Sequence, residues 1–267
     1  MDKCDLSVIV PCYNSSSTLN RAIESVVRQT LLPKEIVCVD DCSDDKGATL
    51  KELYRLKNKY SKYINFTIVE LKSNKGAAYA RNTGWKLAKC KYIAFLDSDD
   101  AWSRNKVNIQ YGYMEKNKDV YLTCTRVKVC IDDEMDDERI LNVKIAQLNK
   151  YIILFKNDVF TPSVMMLNDK QMLFVDTKRY AEDIWLWNHI AFRRKMMLID
   201  CSLTFLFKNH YGDSGLSNNM WEMEKGELSS FVDLYKNRDI NILVLLCCYI
   251  FSIVKFVRRL LVIRLRR

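Results

Sequence analysis

Four apolar runs alternate with three amphipathic stretches over the first hundred residues, and three of those runs end in polar or acidic residues. Leu6-Ser7-Val8-Ile9-Val10, Glu35-Ile36-Val37-Cys38-Val39, Ile64 to Leu71 and Tyr92-Ile93-Ala94-Phe95-Leu96 read as strands. Between them, Leu19, Ile23, Val26 and Val27 recur at helical spacing, with Ser16 or Ser17 placed to cap that helix. Ala48 to Tyr60 and Gly76 to Lys89 read as two further helices. This β-α-β-α-β-α-β order predicts an α/β domain with a Rossmann-like, mainly parallel sheet and helices on both faces. Such sheets take ligands beyond the carboxyl ends of their strands. Tyr13-Asn14, Asp40-Asp41 and Asp97 to Asp100 all fall at that edge.

Asp97-Ser98-Asp99-Asp100 closes the fourth run and precedes a predicted helix beginning near Ser103. Clustered carboxylates at a strand end repel one another unless a cation or hydrogen bonds compensate. Two readings fit: an acidic turn that caps the following helix, or a site for a hard divalent ion, which prefers oxygen ligands.

Composition narrows the choice of class. Hydrophobic content of 49% with 28% charged residues, seven Gly and three Pro describes a globular chain of 267 residues. None of the ten cysteines forms a C-x-x-C pair, which argues against zinc and for buried free thiols in a reducing compartment. Met1 to Asp5 has no basic stretch ahead of an apolar one, so no secretory signal is expected and a cytoplasmic location is. The net charge is +9, but six of those charges belong to residues 240–267, which hold no acid. Basicity is thus a property of the tail, and nucleic acid is not an expected partner.

The second half is less regular. Val120 to Val129 reads as a strand, Asp132 to Glu138 as a solvated acidic loop, and Asn142 to Lys156 as a helix. A strand around Ser163 to Leu167, a helix from Ala181 to Phe192 and a strand from Met196 to Phe207 follow, then a loop from Asn209 to Gly215 and further helices.

Taken together, the motifs resemble a family-2 glycosyltransferase of the GT-A fold and the bacterial surface-polysaccharide type. The resemblance rests on Ser7 to Asn14, Val37 to Asp45, Asn74 to Asn82, the D-x-D element Phe95 to Asp100, and Glu182 to Trp187, and it runs from residue 6 to about residue 215. It implies a nucleotide-sugar half over residues 1–100 and an acceptor half over residues 101–238. It also implies a UDP-sugar donor, with Pro11 and Tyr13 in the nucleotide loop, Tyr13 stacking on the base and Asp40, with Asp41, near its imide. Lys75 and Arg81, close to a helix start, are placed for phosphate. Asp97 would contact ribose or a metal-bound water, Asp99 would ligate Mn²⁺ or Mg²⁺, and His210 would touch the diphosphate or complete the metal shell. Asp100 reads as a turn cap. Asp183 is the candidate general base, and one base implies a single displacement with inversion. Local alternatives stay open. Asp40-Asp41 can be a capped turn, Lys75 a solvated helix residue, Glu182-Asp183 a helix-dipole pair, and Trp185 and Trp187 either a sugar platform or core. His189 reads as structural.

Beyond the resemblance, Ile242 to Val254 is an apolar run shorter than the ~20 residues that span a bilayer. The mix of Arg and aliphatic residues after it predicts a basic amphipathic helix over residues 239–267, lying on an anionic membrane surface at the inner face of the cytoplasmic membrane. A partner or oligomer interface and a re-entrant or spanning segment are the alternative uses of that helix. The expected function is sugar transfer to a lipid-linked or growing surface glycan on a polyprenyl carrier. The competing classes are a sugar-phosphate nucleotidyltransferase, for which Pro11-Cys12-Tyr13-Asn14 offers no Gly-rich phosphate loop, and a non-catalytic membrane-docked nucleotide-binding scaffold.

Overall fold

A computed structural model describes residues 3–130, 143–178, 180–207 and 219–266, with side chains up to residue 261. The first half follows the expected order: β1 (Lys3–Cys12), α1 (Leu19–Val27), β2 (Leu32–Asp40), α2 (Ala48–Tyr60), β3 (Asn65–Glu70), α3 (Ala77–Leu87) and β4 (Tyr92–Phe95). These strands are parallel and ordered β3-β2-β1-β4, so the strand order reverses between β1 and β4. At such a reversal the loops leaving the two strands go to opposite faces and open a crevice at the carboxyl edge.

β1 buries side chains on both faces. Leu6, Val8 and Val10 pack with α1, α2 and the later helix α4 (Lys106–Lys116), through Leu19, Ile23, Leu53, Val107 and Met114. Ile9 faces the other way, against Trp85 of α3, Ile93 and Phe95 of β4, and Leu186, Trp187 and Ile190 of α6 (Glu182–Ala191). Gly84 lets α3 settle onto the sheet, since a Cβ there would lie 2.7 Å from Ile9 Cγ2 and 3.2 Å from Val39 Cγ2. That close seat carries Arg81, one turn earlier, to the ends of the strands.

The second half departs from a purely parallel design. β5 (Ala101–Trp102), β6 (Leu122–Val129), β7 (Lys144–Gln147), β8 (Met165–Leu167) and β9 (Met196–Leu206) extend the sheet beyond β4, and only β6 with β9 is a parallel pair there. One sheet therefore passes through both halves. The helix expected over Asn142 to Lys156 is instead edge strand β7 followed by the short α5 (Lys150–Phe155). The alternating Lys144-Ile145-Ala146-Gln147 pairs with β9, and Asn149 caps α5 by accepting from the N–H groups of Tyr151 and Ile152. Pro162 sits in a 3-10 turn, Thr161–Ser163, so the strand expected from Ser163 begins at Met165. Neither Ser16 nor Ser17 caps α1. Its N-cap is Thr18, and the Thr18 and Leu19 N–H groups both donate to the Ser15 carbonyl. The helix expected near Ser103 starts at Lys106, after a turn in which the Lys106 N–H donates to the Ser103 carbonyl at 3.1 Å. Two helices close the described chain, α7 (Met220–Lys236) and α8 (Ile242–Arg266), and α5 packs between them and the sheet domain. No disulfide joins any of the ten cysteines, all of which lie among the described residues. The acidic run Asp132 to Glu138 and His210 lie outside the described residues.

Candidate active site

The site assembles at the carboxyl edge of β1, β2 and β4. After β4, Asp97, Asp99 and Asp100 bring one carboxylate oxygen each to within 4.8 Å of one another. Asp100, expected only to cap a turn, is fully buried and shares that cluster, while its Oδ1 accepts from the Phe207 N–H at 3.3 Å. Arg21 of α1 holds the same loop. Its Nη2 donates to the Asp99 carbonyl at 2.7 Å, and its guanidinium lies 3.6 Å over the Phe207 ring. Sequence reasoning did not single out Arg21, and its only signal there is a basic side chain on the polar side of an otherwise apolar helix. An all-oxygen donor set of this size suits a hard divalent ion.

Arg81 is buried and bridges two carboxylates in a way its sequence context did not indicate. Nη2 donates to Asp97 Oδ1 at 2.8 Å and Nη1 to Glu182 Oε1 at 3.0 Å. Burial opposes its charge, but Asp97 and Glu182 outweigh that and raise its pKa, so it is a fixed cation. Expected as a phosphate ligand, Arg81 is engaged by carboxylates instead. The amides preceding α3, also expected to favour phosphate, are taken as well: the Lys75 and Gly76 N–H groups donate to the two Asp41 oxygens at 2.7 Å each. The Lys75 side chain is exposed.

The loops after β1 and β2 are laced together. Ser43 donates to Asp40 from both N–H and hydroxyl, the Asn14 N–H donates to Ser43 Oγ, and the Asp44 N–H donates to Asn14 Oδ1. Asp40 thus follows the capped-turn geometry and would have to share its oxygens to meet a base, whereas Asp41 ties the loop to the start of α3. Asn14 and Cys42 hold positive φ in these turns. Tyr13, two residues after the half-buried Pro11, is 48% exposed in the loop that leaves β1.

Across the crevice, α6 begins with Glu182 and Asp183. Burial first, then Asp183, pushes the Glu182 carboxyl up from 4.5 to about 7 against the pull of Arg81. Burial also holds Asp183 above the ordinary aspartate value, while the Ile184 N–H and Arg81 pull it down. Glu182, which the sequence presents only as part of the acidic start of α6, is the second anchor of Arg81. The tryptophans expected as a possible platform are elsewhere: Trp187 is buried against Phe95 and Phe174, and Trp185 stacks on His189 at 4.8 Å and donates to Asp233. His189 is accordingly a packing residue. Asn82, in the third motif, clamps the Phe174 backbone from both sides, at 2.8 and 3.0 Å.

Residues 7–174 match the family described as "Glycosyl transferase family 2". A glucosyltransferase of Escherichia coli named UDP-Glc:alpha-D-GlcNAc-diphosphoundecaprenol beta-1,3-glucosyltransferase WfgD is 30% identical over 242 residues, covering 89% of each chain. An uncharacterized glycosyltransferase of Rickettsia conorii is 32% identical over 253 residues, and this chain spans 38% of its length. Among solved structures, Staphylococcus aureus TarS with UDP-GlcNAc superposes with a TM-score of 0.67 at 19% identity, over 88% of this chain and 66% of that one. The mannosyltransferase PcManGT of Pyrobaculum calidifontis, solved with GDP-Man and Mn²⁺, gives 0.62 at 17%, over 88% and 65%. These likenesses give the GT-A architecture.

The raised Glu182 carboxyl sets a pH dependence. The folded chain binds this proton more tightly than the unfolded one, so its contribution to stability is complete below pH 4.5 and lost as pH rises through about 7. Urea midpoints should fall over that window and Glu182→Gln should flatten the fall, whereas an identical slope in both proteins would remove Glu182 as its source.

Proposed function

The chain belongs to glycosyl transferase family 2, and we propose that it moves a sugar from a nucleotide donor, with UDP as the nucleotide, to a hydroxyl of a polyprenyl-linked or growing surface glycan. The observation that carries this reading is the convergence of Asp97, Asp99 and Asp100 with Glu182 and Asp183 around the single buried Arg81. The E. coli relative's name supports UDP and a diphosphate-linked polyprenyl acceptor.

Each residue has a physical task in this scheme. Tyr13 offers its exposed ring for stacking the base, with Pro11 fixing the strand exit before it. Asp40 and Asp41 hold the turns that shape this pocket, and exposed Lys75 stands free to meet the diphosphate. Asp99, with Asp97 and Asp100, would hold Mn²⁺ or Mg²⁺, and His210 remains a candidate fourth donor. Such an ion supplies Lewis-acid stabilisation of charge on the departing nucleoside diphosphate. Arg81 fixes the position of Asp97 and keeps Glu182 engaged, so Asp183 is left as the carboxyl of that pair with no cation bonded to it among the described contacts. Asp183 takes the proton of the acceptor hydroxyl as its oxygen attacks the anomeric carbon. A pKa above the ordinary value makes it a stronger base than a solvated aspartate. With one base and no second nucleophilic carboxylate assigned, the displacement is single and inverting, in keeping with the β linkage in the E. coli relative's name.

Helix α8 gives the enzyme a place to work. Leu243 (68% exposed), Ile250 (65%) and Val254 (62%) lie on one stripe with Leu246, Ile253, Val257 and Leu261, and Arg258 is exposed beside it. No helix among the described residues is long and apolar enough to cross a membrane. An apolar stripe flanked by cations and free of acids suits an interfacial helix on anionic lipid, at the inner face of the cytoplasmic membrane where a polyprenyl-linked acceptor would sit.

Replacing Asp183 by Asn should reduce transfer by roughly a hundredfold or more while leaving Mn²⁺-dependent UDP binding within about twofold, a pattern expected for loss of a general base. Calorimetry with UDP and Mn²⁺ beside product assays checks this, and loss of binding in step with turnover would remove Asp183 from the role. Asp99→Ala should weaken UDP binding with Mn²⁺ present and change nothing in EDTA. For the tail, the protein should float with vesicles containing phosphatidylglycerol but not with pure phosphatidylcholine. Ile250→Glu combined with Val254→Glu should release it, and unchanged flotation would refute docking through α8.

A further inference from the structure

Helix α7 runs along the turn that introduces Asp183, and three of its residues make one stripe there. Gly226, Ser229 and Asp233 stand at i, i+3 and i+7, the spacing of a single helix face. At Gly226 the two segments nearly touch: a Cβ at this position would lie 2.6 Å from the Tyr180 carbonyl oxygen and 3.0 Å from Ala181 Cβ. Ser229 Oγ and Asp233 Oδ2 both accept from Lys178 Nζ, at 2.6 and 2.9 Å. Asp233 Oδ2 also accepts from Trp185 Nε1 at 3.1 Å. The stripe therefore grips the chain on both sides of Asp183.

The gripped turn is strained. Ala181, the N-cap of α6, has φ of 56° in the left-handed region, a conformation that costs a non-glycine residue roughly 1 kcal/mol or more and persists only when its surroundings enforce it. The direction in which Glu182 and Asp183 leave that turn is set by the same backbone. Gly226 also lies inside a 17-residue helix, where glycine is about 1 kcal/mol worse than alanine. The close approach to the Tyr180–Ala181 turn is what offsets that cost, since any larger residue would collide with the turn. Behind this face α7 is pinned to α8, with Ser252 donating to Glu224 at 2.6 Å and Lys255 bonded to Glu227.

We propose that α7 is the positioning element for Asp183, acting through the close approach of Gly226 to the Tyr180–Ala181 turn and the hold of Asp233 on Lys178 and Trp185. The proposal rests on the reading of Asp183 as the general base. Gly226 and Asp233 are positioning residues and touch no substrate in this scheme. The methyl of a Gly226→Ala variant forces the turn away and shifts the Asp183 carboxyl out of its half-buried setting.

The test uses the full chain with three readouts: the Asp183 titration by carbon-13 NMR, assigned by its absence in Asp183→Asn; UDP affinity with Mn²⁺; and hydrolysis of UDP-glucose. In Gly226→Ala the Asp183 titration should move down toward 3.8. Hydrolysis should fall by about ten- to a hundredfold, the size of effect that a misplacement near 1 Å produces, with UDP affinity within about twofold. Asp233→Ala should act in the same direction. Adding Ala181→Gly to Gly226→Ala should recover part of the loss, because it removes the methyl contact and suits positive φ. An unmoved Asp183 titration in both variants would overturn the proposal, as would a loss of UDP affinity in step with the loss of turnover. Asp183→Asn that still hydrolyses UDP-glucose would instead overturn the base assignment, a separate and distinguishable result.

Discussion

The ion pairs of Arg81 hold the rest of the site in place. One guanidinium, side chain 8% exposed, joins a carboxylate at the end of β4 to one at the start of α6, across 101 residues of sequence from Arg81 to Glu182. A buried cation is tolerable only with such partners, and removing one of them leaves an uncompensated charge. The dependence runs both ways, since Asp97 and Glu182 can approach only because the cation lies between them. The end of β4 and the start of α6 are thus joined by electrostatics at the carboxyl edge of the sheet.

Five carboxyl groups, Asp97, Asp99, Asp100, Glu182 and Asp183, crowd that place, with Arg81 and Arg21 as the cations beside them. Burial first, then the neighbouring carboxylates, push Glu182 to about 7 and hold Asp183 high. A divalent ion on the three aspartates would offset part of that repulsion. Because Asp97 is among the charges that raise the Asp183 carboxyl, such an ion would also lower the proton affinity of Asp183.

Much of this was legible in the sequence, and particular residues show why the rest was not. The first four strands and three helices follow from apolar periodicity, since β1, β2 and β4 are buried on both faces and α2 has clean spacing. The D-x-D and Glu182-Asp183 stand out because acids ending a strand or opening an apolar helix invite explanation. Pair identity is another matter. That Arg81 meets Glu182 depends on the seat of α3 at Gly84 and on the reversal of strand order between β1 and β4, both long-range facts. The resemblance puts Asp41 near the base and Lys75 near phosphate, but an i to i+34 hydrogen bond from the helix-start amides to Asp41 leaves no trace in local pattern. The β7 edge strand was misread because four alternating residues beside a helical stretch carry too little periodic signal. Trp187 failed as a platform for a simpler reason: an aromatic at helical spacing fills a core as readily as it lines a surface.

A single structure would decide the central claim, that the Arg81-linked carboxylates form a metal-diphosphate site facing Asp183. Crystals soaked with Mn²⁺ and UDP, measured for manganese anomalous scattering, should show the ion at Asp99 with Asp97 or Asp100 and the diphosphate upon it. Arg81 should still be bonded to Asp97 and Glu182. An anomalous peak absent from this cluster, or a diphosphate bound by Arg81 after release of both carboxylates, would contradict the account.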